Sequence, residues 1–129
     1  MPVSDPRDVP DDVRRFVLTS VPSVPYAEAV LLLRQHAGKA FSAGDAARAL
    51  YVSERVAQEL LQRACEAGAV HQDGDTYRYQ PRDELLAQAW DRFAACYAAN
   101  LVGVTQLIHG TTHKSAQLFA DAFKLRREP

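Results

Sequence analysis

Apolar residues recur at three- and four-residue intervals over most of the chain, the period of helices with one buried face. Val13, Phe16, Val17 and Val21 form the first such stripe, with Asp11 placed to cap it. Pro22 and Pro25 interrupt the pattern, and a second helix is expected from Tyr26 to about His36, with Val30, Leu31 and Leu33 inward and Gly38 as its stop. Ser42 followed by Asp45 has the spacing of a capping box and opens a short helix to Leu50. Tyr51 and Val52 make the turn, and Ser53 caps a longer helix that ends at Gly68. In that helix Val56, Leu60, Leu61 and Ala64 carry the apolar spacing, and Val56, Leu60 and Ala64 are assigned inward.

The spacing then changes. Ala69 to Gln72 and Thr76 to Tyr79 read as two short strands around Asp73-Gly74-Asp75, and Asp-Gly between β-favouring residues is a strong hairpin signal. Pro81 closes the hairpin. From Arg82 to about His109 a near-heptad stripe of Leu86, Trp90, Phe93, Tyr97, Leu101, Val104 and Ile108 predicts one long helix. Gly110, Thr111 and Thr112 end it, and Lys114 to Leu125 predict a last amphipathic helix before a charged tail. The prolines at 2, 6 and 10 make residues 1–10 an extended, flexible leader. Residues 11–81 then form the main domain, and residues 82–129 a C-terminal helical extension.

At 129 residues, the chain can bury one core without disulfide or metal support. Cys65 and Cys96 lie far apart among small or apolar neighbours, which suggests reduced, buried thiols. No secretory signal and no run long enough to span a bilayer is present, so a cytoplasmic location is expected. The net charge of −1 argues against indiscriminate binding to nucleic acid.

Helix, short helix, tight turn, longer helix and hairpin is the element order of a winged helix-turn-helix, within a mainly α chain carrying a small β-hairpin and flanking N- and C-terminal helices. The segments Val52-Ser53-Glu54-Arg55-Val56 and Glu66-Ala67-Gly68-Ala69-Val70 resemble bacterial winged-helix regulators of the MarR type, in which a serine opens the recognition helix and a glycine leads into the wing. The resemblance covers about a third of the chain. It implies a dimeric transcription regulator that binds duplex DNA through helix 53–67 and a wing at 69–80. Arg55, Gln58 and Gln62 have the chemistry to read guanine and adenine edges, with Arg63 at the rim of that face. Ser53 at the helix N-terminus and Arg78 in the wing are placed to take phosphates.

Charge points the other way. Between Phe41 and Gln80, Arg48, Arg55, Arg63 and Arg78 face Asp45, Glu54, Glu59, Glu66, Asp73 and Asp75, so the segment nets −2. DNA-binding modules neutralise phosphates with a basic surface, and this one is acidic. The alternative expectation is therefore a winged-helix adaptor that binds a protein partner and no DNA. Leu86, Trp90, Phe93, Tyr97, Leu101 and Val104 are candidate dimer-interface residues, or else core, and a ligand pocket among Trp90, Phe93 and Tyr97 is a third option. His109 and His113 stand four apart but lack a nearby third ligand, so no metal site is expected. Nothing resembles a nucleotide loop or a nucleophile elbow, so neither a cofactor nor an enzymatic activity is expected.

Overall fold

The computed structural model describes residues 9–110. These are mainly helical, with a small three-stranded antiparallel sheet. Helix α1 runs Asp11–Ser20 behind Pro10, and the two aspartates in its first turn favour the positive end of the helix dipole. Neither is its N-cap, because Pro10 occupies that position and makes no side-chain cap. Val13 and Val17 are buried, and Val9 and Val21 continue the same stripe into the core. Val9 belongs to the core, so the leader expected over residues 1–10 is anchored at least from there.

Ser23 caps helix α2, Val24–Gln35, by accepting a hydrogen bond from the Tyr26 amide at 3.2 Å. Tyr26, Ala27, Ala29, Val30 and Leu33 are all buried, a wider face than a surface helix needs, because neighbours lie on several sides. A two-residue strand, β1 at Phe41–Ser42, follows. Ser42 ends β1 and caps helix α3, Ala43–Leu50, in the expected capping box. Asp45 N donates to Ser42 Oγ at 3.0 Å and Ser42 N donates to Asp45 Oδ2 at 3.1 Å.

Tyr51 turns the chain in the left-handed region, at φ 60°. Ser53 then caps helix α4, Glu54–Glu66. Its buried residues are Ala57, Leu61 and Ala64, so the inward face is rotated from the Val56, Leu60, Ala64 assignment. Val56 is 39% exposed and Leu60 is only half-buried. Helix α3 buries the small residues Ala43, Ala46 and Ala47 and packs against α4, which buries Ala57 and Ala64 beside Leu61.

Gly68 ends α4 at φ +83°, and a Cβ there would stand 2.8 Å from Arg82 Cδ, so both conformation and space require glycine. Strands β2, Val70–Asp73, and β3, Thr76–Tyr79, are joined by the two-residue loop Gly74-Asp75, shorter by one residue than the expected turn. β1 adds to the far side of β3 with Phe41 opposite Tyr77, giving the order β1-β3-β2. Asp83 then caps helix α5, Glu84–Ala99, through the Leu86 amide at 2.8 Å.

The expected long helix is two helices. Asn100 ends α5, with its amide donating to Cys96 O at 2.8 Å, and starts helix α6, Leu101–Gly110. Its side-chain oxygen accepts from Gly103 N at 3.0 Å and its carbonyl from Val104 N. An asparagine that can cap from either side of a break competes with continuation of the helix. The last expected helix, Lys114 to Leu125, the charged tail and His113 lie outside the described residues.

Candidate interaction surface

Helix α4 carries the expected contact residues, and its cap fixes where they stand. Ser53 Oγ accepts from Val56 N at 3.1 Å, which holds the first turn. Arg55 is 88% exposed in the next positions, and Glu59 approaches its Nε at 3.7 Å, a loose i,i+4 pair. Gln58 and Gln62 sit one turn apart and converge on one hydroxyl. Gln58 Nε2 donates to Tyr77 Oη at 2.8 Å, and Tyr77 Oη donates to Gln62 Oε1 at 3.4 Å. Tyr77 is buried in β3, so this relay ties α4 to the sheet.

The structure therefore brings together three of the six expected DNA-contacting residues, since Gln58, Gln62 and Arg63 line one surface depression, and it employs the two glutamines internally. Arg78 is half-buried and donates from Nε to Gln80 Oε1 at 3.2 Å along its own strand edge. Arg63 also borders a groove on the other side of α4. There its charge reaches Tyr26, whose pKa burial raises and Arg63 partly lowers. Ser53 and Arg55 remain at the exposed N-terminal end of the helix.

The candidate interface residues on α5 and α6 have a different fate. Trp90, Phe93 and Val104 are buried within the chain, Leu86 and Tyr97 are half-buried, and only Leu101 is exposed. Phe16 of α1 meets Trp90 edge-on at 5.1 Å between ring centroids, Phe93 meets Trp90 at 5.3 Å, and Tyr97 stacks on Phe93 at 5.5 Å. These rings pack against one another within the chain, and α1 lays Phe16, Val13 and Val17 into the same core. Tyr97 Oη donates to Glu28 Oε2 at 3.2 Å; burial, then the Glu28 charge, pushes this phenol up to about 12. Burial, reinforced by Asp12, raises the Cys96 thiol, which keeps it protonated and poorly nucleophilic. Among the described residues no three potential metal ligands cluster. No single described helix is long and apolar enough to cross a membrane.

No family model matches the chain, and neither does any curated protein or solved structure. The surface must speak for itself.

Sequence reasoning missed three features of it. Tyr51, expected only as a turn residue, is 94% exposed in a conformation that costs a tyrosine energy. Tyr77, expected only as a strand residue, is the hub of the Gln58–Gln62 relay. A groove of about 800 Å³ opens where the end of α1 and the start of α2 face the end of α4 and the start of α5. Its residues come from four elements, so no local signal could have found it.

Proposed function

We propose that the chain is a winged helix-turn-helix module with flanking helices that serves as an adaptor for a protein partner. The order helix, strand, two helices across a tight turn and hairpin, with β1 beside β3, supports the winged-helix reading. One observation carries the adaptor reading. The outward face of α4 spends its polar groups on the protein itself, with Gln58 and Gln62 on Tyr77 and Arg55 beside Glu59. Reading a base would require breaking those bonds, on a segment whose net charge is already −2. The exposed aromatic ring of Tyr51 beside the same helix suits a protein contact, in which tyrosine contributes area at small entropic cost.

A MarR-like DNA-binding regulator is the second reading, favoured by the Ser53-capped helix end with Arg55, 88% exposed and held only at 3.7 Å by Glu59, beside it. Fluorescence anisotropy of the full chain with a labelled random-sequence duplex separates the two. The adaptor reading expects no binding at about 10 µM protein in low salt. Binding that weakens steeply between about 50 and 200 mM salt overturns it.

A further inference from the structure

The groove beside α4 has two chemical characters. Trp90 and Leu86 of α5 and Val21 at the end of α1 make an apolar floor. Arg63 from α4 and Arg82 from the α5 approach stand on its walls, with Glu66 as the one carboxylate lining it. Arg63 makes no ion pair among the described residues, whereas Arg34, Arg48 and Arg92 each hold a carboxylate at 2.9 Å or closer. Arg82 is held loosely, with Nη1 donating to Ala67 O at 3.4 Å and Nε 3.5 Å from Asp83. Two guanidinium groups thus border an apolar slot, one unpaired and one weakly paired, in a chain that is acidic overall.

The apolar surface does not stop at the slot. Leu18, at its mouth, is 53% exposed. A small anion held between the arginines would leave Leu18 largely in water, whereas a chain segment lying along the groove covers it as well. An acidic segment is repelled by the net-negative α3–β3 surface and attracted to this one place, which gives orientation as well as affinity.

We propose that this groove docks a short segment of a partner protein in which large apolar side chains alternate with carboxylates. The apolar groups cover Leu86 and Leu18, and the carboxylates meet Arg63 and Arg82 in charge-assisted, bidentate geometry. This deepens the adaptor reading and rests on it.

The test uses the full chain and a fluorescein-labelled eight-residue peptide alternating leucine or phenylalanine with aspartate or glutamate. A second peptide replaces every acid with lysine. The acidic peptide is expected to bind at least about tenfold more tightly than the lysine peptide, and less tightly as salt rises. Arg63→Glu together with Arg82→Glu should reduce acidic-peptide binding about tenfold or more while the thermal midpoint stays near that of the parent; Arg63→Gln alone gives an intermediate loss should the double variant prove unstable. Equal binding of the two peptides, or binding indifferent to both variants, overturns the proposal. So does stabilisation by phenylbutyrate without peptide binding, which would make the slot a small-anion site. If the acidic peptide fails and duplex DNA also fails to bind, the groove assignment alone falls. If salt-dependent DNA binding appears, the adaptor reading falls with it.

Discussion

Replacing Tyr77 with phenylalanine removes a single oxygen from a residue that is otherwise enclosed. The ring keeps its place opposite Phe41, so no cavity forms and the change reads out the hydroxyl alone. That hydroxyl makes a good bond at 2.8 Å to Gln58 and a marginal one at 3.4 Å to Gln62. Counting the first in full and the second in part, at the usual ~0.5–1.5 kcal/mol per neutral bond, the loss comes to about 1–1.5 kcal/mol. Gln58 is exposed and recovers a bond from water, which holds the loss below the penalty for a stranded buried group. With a urea slope of about 2 kcal/mol/M, the unfolding midpoint should fall by about 0.5–0.8 M, followed through the fluorescence of Trp90. Gln58→Ala should add little on the Tyr77→Phe background, since the two changes delete the same bond. An unchanged midpoint, or fully additive losses, would mean that the relay carries no energy and that α4's glutamines are free for a ligand.

Three other outcomes follow from equally local features. Gly103→Ala, which in an ordinary helix interior gains about 1 kcal/mol, should gain nothing here, because its Cβ would stand 2.5 Å from Asn100 Nδ2 and displace a cap of similar worth; a gain of the full amount in thermal or urea unfolding would disprove the cap. Gly68→Ala should cost about 1–2 kcal/mol, and Arg82→Ala should restore part of it by removing the 2.8 Å clash while leaving the φ penalty. The folded-state pKa of Tyr97 is raised to about 12, above the ordinary phenol value, so the stability it contributes is complete below pH of about 10 and is lost as pH rises toward 12. Tyr97→Phe should therefore flatten the alkaline decline in thermal midpoint, and an identical decline in the variant would refute the assignment.

Much of the helix and hairpin layout was legible because the deciding chemistry is local. Ser42 with Asp45, Ser53, Gly68 and Asp73-Gly74 each bond or bend within a few residues of themselves. What was illegible depended on distant partners. β1 is two residues long, too short to show alternation, and exists because Tyr77 and Thr76 lie alongside it. The inward face of α4 differs from the expected one because valine outranks alanine as a hydrophobe in the sequence pattern, whereas the α3–α4 packing buries alanines on both helices. The near-heptad stripe hid a break at Asn100, since Val104 and Ile108 return to the core after the chain restarts its helix. Nothing in the sequence marked that Gln58 and Gln62 would turn to Tyr77, or that Arg63 would also border a groove with Arg82.

Helix α1 is secured almost at the far end of the described chain. Phe16 packs on Trp90 and Phe93, and Asp12 pairs with Arg92 at 2.9 Å. During synthesis, therefore, the first helix emerges from the ribosome with its apolar face unpaired and waits for some 80 more residues before its partner exists. At about 5–20 residues per second that interval is roughly 4–16 s, long compared with helix formation or collapse. The nascent chain thus passes through a stage in which Val13, Phe16 and Val17 are open to chaperones or to other nascent chains, and the arrival of α5 ends it.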